Sequence, residues 1–591
     1  MYTSLKNYQI IISLLKQNNI RHLVLSAGTR NIPFVQSVEN DSFFICYSVV
    51  DERSAAYMAL GLSLRLNEPV VLSCTSSTAT CNYFPAVAEA FHQGAQLIVL
   101  TSDRNPALLG QREDQMINQV NMYGNFVKKA VNLPVVNTKE DFWFCERLVN
   151  EAIMATYVHG KGPVQINIPM LSYSTRCTMK DCLTARKIEY YNIESPEEKW
   201  KECVMAICSK RRVMLICGQM NYTSNKLNEL ISTFSSCYNV VVLAEYMANV
   251  EYEDAINPFL LFDTHVISND AFGQYMPDLV ISIGGNVMSG IKNLLRDKSG
   301  CFEHWGIEES GEIVDMYKSQ TKLFECSPEY FLQYFIRAYC AEKVRNDDGY
   351  LRLIKGYAES LRIPEVQYSN NSAVSHFVKR IPDGSLLHLS INNSIRLVNY
   401  FGLPNRSVKV YANIGTHGID GCLSSFIGQA LTTEKLSFLI IGDLSFFYDM
   451  GAMRIKHMPR TARILMINNH GGGEFHYSTT LQKDPTMDLH TSAAHGNIAE
   501  GWVKSVGFEY FSVQRGDDYE KVLDVFFDVS RECPVFIEFF SDMETDAAIT
   551  RLIEDNNKTI SAKEKAKEKI TKIAHMVLNG ETIEKVKNIL R

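Results

Sequence analysis

One pattern constrains this chain more than any other. Short apolar runs stop at small or polar residues, and each is followed by a stretch long enough for a helix. "HLVLSAG", "PVVLSCTS" and "QLIVLTS" form a first set, ending at Ser102. "VMLICG", "NVVVLAE" and "DLVISIGG" follow from Val213. "SLLHLSI", "KVYANIG", "LSFLIIGD", "RILMINN" and "PVFIEFF" make a third set from Ser385. Strands that are apolar without alternation need cover on both faces, and crossover helices supply it. The expected fold is therefore α/β, with three doubly wound parallel-sheet domains. A chain of 591 residues also exceeds what one core organises. Expected divisions are 1–186, 187–355 and 356–555, with a charged helical tail over 556–591. The polar stretches Lys187–Lys201 and Glu342–Tyr350 read as linkers. Tyr8, Ile11, Ile12 and Leu15 have the spacing of an amphipathic first helix.

Charge and composition exclude several classes of partner. A net charge of −7 argues against nucleic acid and against an anionic membrane surface. No apolar run reaches the ~20 residues that span a bilayer. The start, "MYTSLKNYQIIISLLKQNN", has neither a basic opening nor a small-residue cleavage site. Fifteen cysteines, an odd number with no CxxC pair, suggest neither a disulfide framework nor a zinc site. The expected compartment is the reducing cytoplasm.

The chemistry concentrates between Ile440 and Phe475. Ligands of open parallel sheets sit beyond the carboxyl ends of the strands. Two strands here end in oxygen-bearing side chains, Asp443 in "LSFLIIGD" and Asn469 in "RILMINN". A helix expected to begin near Ser445 offers backbone N–H groups to a phosphate. With a backbone carbonyl from the Gly471–Gly473 turn, these oxygens suit a hard cation such as Mg²⁺, which keeps substrate phosphates in its shell. Each piece alone also reads as a helix cap or a turn.

Gly-Asp, one intervening segment and then Asn-Asn together resemble the signature of thiamin diphosphate enzymes. Those enzymes place a glutamate beside the cofactor's aminopyrimidine ring, and Glu52 in "YSVVDERSAAYMALGLSL" matches it. With "LSAGTRNIPF", "SCTSSTATCNYFPAVAEA", "LTSDRNPALLGQREDQMINQ" and "NIGTHGIDGCLSSFIGQAL", the chain resembles one family within that class. This is the 2-succinyl-5-enolpyruvyl-6-hydroxy-3-cyclohexene-1-carboxylate (SEPHCHC) synthases of menaquinone biosynthesis.

The resemblance implies pyrimidine-binding, middle and diphosphate-binding domains. It implies thiamin diphosphate and Mg²⁺ as cofactors, and a homodimer or homotetramer with sites at the subunit interface. It implies decarboxylation of a 2-oxo acid, 2-oxoglutarate in the family, with transfer of the acyl-anion equivalent to an acceptor. Glu52 would be catalytic. Asp443, Asn469 and Gly471 would hold the ion, while Ser76, Ile419, Gly442, Leu444 and Ser445 would contact the cofactor. Arg30, Arg104, Gln115, Lys292, Asn392, Arg396, Glu474 and His476 fall at substrate positions. The family's arginine ahead of "GIDG" is Ile414 here, its apolar residue after the glycines is Glu474, and a nearby leucine is Ser478. These departures leave open another donor or acceptor, as in sugar or secondary metabolism. A non-catalytic binding protein on the same fold is a further alternative.

Overall fold

The computed structural model describes residues 1–171, 177–478, 485–561 and Glu564. The expected helical tail lies almost wholly outside the described residues. The chain divides into two compact units, Met1–Ile193 with Glu308–Glu325, and Glu194–Ile307 with Cys326–Arg591.

Three parallel-sheet α/β blocks are present. In the first, the strands run across the sheet as Ile45–Ser48, His22–Leu25, Val70–Cys74, Leu97–Asp103, Val164–Pro169 and Lys129–Asn132. In the third, the order is Lys409–Ala412, Leu386–Leu389, Ser437–Gly442, Ala462–Asn468, Val535–Phe540 and Glu509–Val513. Ranked by chain position, both sheets read 2-1-3-4-6-5. In the middle block, Val213–Cys217 lies between Val241–Ala244 and Leu279–Ile283, with Glu303–Ile307 beyond. Glu189–Asn192 pairs in parallel with Gln320–Glu325.

Burial explains the apolar runs. In the third sheet, Phe438, Ile440, Leu465 and Ile467 pack into a cluster on one face. Leu439, Ile441, Ile464 and Met466 pack into a second cluster on the other. Successive residues of one strand alternate between the two clusters, so both faces are dry.

Three local expectations change. The first helix, Lys6–Gln17, is buried all round from Asn7 to Leu15 rather than amphipathic. Returning chain covers its polar face: Asn7 donates to the Pro169 carbonyl at 3.3 Å, and Ser13 accepts from the Ala185 amide at 2.9 Å. Lys187–Lys201 is not simply a linker, because it contains the paired strand Glu189–Asn192 and the start of helix Glu197–Ser209. The 355/356 division falls inside helix Gly349–Ser360.

Candidate functional site

The reversal of strand order in the third sheet lies between Leu386–Leu389 and Ser437–Gly442. A cleft opens there, lined by Asn392, Ile419, Asp443, Asn469, Gly471 and Glu474 among others. It is the switch-point crevice where open α/β sheets bind ligands. Helix Asp443–Asp449 starts at Asp443 itself, two residues earlier than expected, after extended Gly442. Asp443 is 2% exposed. Its Oδ1 accepts from the Leu444 amide at 2.6 Å, and its Oδ2 from the Gly471 amide at 3.0 Å. The Ser445 hydroxyl donates to the Ile419 carbonyl, which ties the "GIDG" loop to the helix.

These residues fit a divalent ion. Burial pushes the Asp443 carboxyl up to about 7, against the pull of its backbone donors. His495, 3.4 Å away, gives little relief, since burial lowers its own pKa. Asn469 is 7% exposed, and its amide nitrogen donates to Asp546 Oδ2 at 3.0 Å. The amide oxygen remains for the cleft. The Gly471 carbonyl accepts from the Gly473 amide at 3.0 Å and keeps a second lone pair. Carboxylate, amide oxygen and backbone carbonyl form the hard oxygen set that Mg²⁺ takes. Glycine is required twice. At Gly471 φ is +154°, and a Cβ would come within 2.8 Å of the Ser492 carbonyl. A Cβ on Gly473 would sit 2.7 Å from the Asn469 amide nitrogen.

Sequence reasoning missed the support behind this loop. Helix Met543–Asn556 packs along the segment Gly473–Tyr477. Asp546 holds Asn469, Arg551 donates to the His476 carbonyl at 2.8 Å, and Glu554 accepts from the Tyr477 hydroxyl at 2.6 Å. Nothing local in "SDMETDAAI" marks such a role.

A second cleft adjoins the first and shares Asn392 and Glu474 with it. Arg396 meets Glu474 through two parallel bonds of 2.9 and 2.8 Å, and its guanidinium lies 4.1 Å from the Tyr477 ring centroid. Glu474 is therefore paired, and the fork of Arg396 is taken by the chain's own carboxylate. Asn392 adopts φ +59° and ψ −116°, a strained conformation for a residue with a side chain, and its Oδ1 is 3.1 Å from His417 Nε2. Ile414 is buried in the apolar cluster. Ser478 lines the second cleft, and Lys292 sits on the short helix Ile291–Asp297 beside it, with its pKa lowered by burial. Asp263, His265 and Glu554 cluster nearby, bridged by the hydroxyls of Tyr400 and Tyr477. Of the expected substrate residues in the third block, Asn392, Arg396 and Glu474 line these clefts and His476 does not. It faces Asp488 at 2.7 Å, because the helix Gly473–Tyr477 turns it toward another cavity.

In the first unit the expected residues again sit beyond strand ends. Arg30 follows His22–Leu25, Ser76 follows Val70–Cys74, and Arg104 follows Leu97–Asp103. The Ser76 hydroxyl donates to the Gln115 carbonyl at 3.0 Å, and the Gln115 amide reaches back to the Ser76 carbonyl at 3.4 Å. Arg104 is paired with Glu113. Ser77 has φ +69° and ψ −127°, matching the strained turn at Asn392 in the third block. Glu52 opens helix Glu52–Leu66 after the cap Asp51, and it is half-buried, with the Asn82 amide at 3.3 Å.

Comparison with known proteins gives the family. Residues 6–122 match the family model "Thiamine pyrophosphate enzyme, N-terminal TPP binding domain". The chain is 35% identical to the SEPHCHC synthase of Phocaeicola vulgatus, over 93% of this chain and 98% of that one. The synthases of Bacteroides thetaiotaomicron and Bacteroides fragilis are 36% and 33% identical, each over 93% of this chain. A doubly wound three-block fold with an oxygen-lined cleft at the switch point, joined to that N-terminal match, defines a thiamin diphosphate-dependent enzyme that uses a divalent metal. Within that class the chain belongs to the SEPHCHC synthase family.

Proposed function

We propose that this enzyme decarboxylates a 2-oxo acid and transfers the acyl-anion equivalent to an anionic acceptor, as a SEPHCHC synthase does. 2-Oxoglutarate is the donor and isochorismate the acceptor that the family resemblance favours. The observation that carries the reading is the trio Asp443, Asn469 and Gly471 around one cleft at the switch point. They hold Mg²⁺, and Gly442, Leu444, Ser445 and Ile419 line the cofactor. Bound there, thiamin diphosphate supplies a nucleophilic ring carbon and an electron sink for the loss of CO₂. Glu52 would hold the pyrimidine nitrogen by a hydrogen bond and favour the required tautomer, and Ser76 would contact the cofactor. Arg30, Arg104, Lys292 and Arg396 meet carboxylates, with Gln115 and Asn392 as neutral partners. At Arg104 and Arg396 an incoming carboxylate competes with Glu113 and Glu474.

The acting unit is a homodimer or homotetramer in which Glu52 of one protomer completes the site of another. Residues 1–186 take the pyrimidine end and 356–555 the diphosphate end. Helices Glu52–Leu66 and Phe84–Gln93, which pack together, leave Tyr57, Met58, Leu64, Phe84 and Phe91 exposed, and this supports association there. No described helix is long and apolar enough to cross a membrane, and the cytoplasm is the proposed compartment. The test is a panel of 2-oxo acids with thiamin diphosphate and Mg²⁺, following CO₂, with isochorismate in half the wells. Release from 2-oxoglutarate with consumption of isochorismate supports the proposal. Aldehyde release alone marks a simple decarboxylase, and a Glu52→Gln variant with unchanged activity removes its proposed role.

A further inference from the structure

The amide of Asn469 is useful to a cation in only one of its two orientations, because only the oxygen can ligate. Hydrogen positions do not distinguish the two ends, so the partners of the amide must decide. Asp546 decides it here. It is 2% exposed, and the Asn370 amide reaches its Oδ1 at 2.8 Å, while the Ser541 hydroxyl at 2.8 Å and the Asn469 side chain at 3.0 Å reach its Oδ2. An ionised carboxylate only accepts, so the group of Asn469 that faces it must be NH₂. The oxygen is thereby turned from Asp546. Gly473 closes the nitrogen side further, since even a Cβ there would lie 2.7 Å from the amide nitrogen. Asn370 and Ser541 fix Asp546 in turn, the first from helix Asn370–Val378 and the second from the end of the strand Val535–Phe540.

We propose that Asp546 is a positioning residue for the metal site: it fixes the amide orientation of Asn469 and so keeps a neutral oxygen ligand turned to the ion. The inference rests on Asn469 being a ligand, as proposed above. It separates two demands. The second ligand stays neutral, so the site carries the charge of Asp443 alone, while the orienting charge stands behind it.

A four-protein cycle on the full chain tests this, with Mg²⁺ affinity read by calorimetry in the presence of thiamin diphosphate. In Asp546→Asn, the new NH₂ must face either the Asn370 N–H or the Asn469 NH₂, and the amide loses its instruction. Mg²⁺ binding should weaken by roughly 10- to 100-fold, the range for losing a group that orients a metal ligand. In Asn469→Asp, two carboxylates face each other, and the metal-free melting temperature should fall. The double variant Asp546→Asn/Asn469→Asp restores a donor–acceptor pair with reversed polarity. It should regain the melting temperature that Asn469→Asp loses. Should Asp546→Asn fail to fold, the Asn469→Asp protein and the double variant still report the coupling. Wild-type affinity in Asp546→Asn, or a metal-free double variant that melts no higher than Asn469→Asp, would overturn the proposal. A wild-type protein that takes up no Mg²⁺ with thiamin diphosphate would overturn the reading of the site itself, and the positioning role with it.

Discussion

At the scale of single residues, the proposed site makes two side chains answerable to protons and to anions. Asp443 has a folded-state pKa of about 7, above the ~3.9 of an unfolded aspartate. The metal-free fold therefore binds this proton more tightly than the unfolded chain does. The resulting stability is present at low pH and is lost as pH rises from about 4 to about 7. Mg²⁺ needs the carboxylate, so its affinity should fall about tenfold per pH unit below pH 7 and level off above it. Melting curves with and without Mg²⁺ between pH 5 and 8 check both slopes, and Asp443→Asn should lose ion binding by about 100-fold or more. The second control is Glu474. Replacing it by Gln keeps the size but leaves Arg396 without its countercharge. Because Glu474 is one-third exposed, the cost to stability should be only about 1 kcal/mol. An anionic substrate that now meets an unneutralised guanidinium should bind more tightly, with KM falling roughly tenfold, the worth of one charge-assisted contact. A KM that stays put, or rises, would detach Arg396 from substrate binding. Asp443, Asn469 and Glu52 are legible in the sequence because each stands at a strand end or a helix start. Asp546 is not, since its bond to Asn469 spans 77 positions and no nearby residue signals it.

At the scale of elements, the turn after strand Ala462–Asn468 depends on close backbone fit as well as on side-chain bonds. Gly473→Ala should push the Asn469 amide and weaken Mg²⁺ binding by about tenfold, with little change in helix content by circular dichroism. Intact affinity would show that the turn yields more readily than its packing suggests. Which strands are legible follows from burial. Central strands dry on both faces write themselves as apolar runs. Three edge strands do not: Ile45–Ser48, Lys129–Asn132 and Glu509–Val513 are mostly half-exposed and carry mixed residues. Val164–Pro169 is central and fully buried, yet it escapes the pattern because Gln165 and Asn167 interrupt it. Their amide nitrogens are bonded inside, to Thr101, the Gln119 carbonyl and Asp103. A buried polar ladder of that kind reads as surface in a sequence.

At the scale of the whole molecule, the shared strand order of the first and third blocks is the main regularity. Both place an unusual backbone turn, at Ser77 and at Asn392, just past a strand next to the switch point. The repeat was legible only as alternation, because strand order depends on pairing and not on local composition. Association is the property to test at this scale. Introducing a charge at Phe84 and Tyr57, as Phe84→Glu with Tyr57→Glu, should shift sedimentation toward the monomer and lower activity in parallel. A monomer with full activity would show that each protomer works alone.

The backstop helix Met543–Asn556 lies far along the chain from the turn it steadies. A ribosome that has already made Asp443 and Asn469 must still add more than seventy residues before Asp546 exists to lock the amide. Vitamin capture during translation should therefore lag well behind emergence of the binding turn. Arrested nascent chains that stop short of residue 543 should bind Mg²⁺ and thiamin diphosphate poorly, and those released after it should bind well.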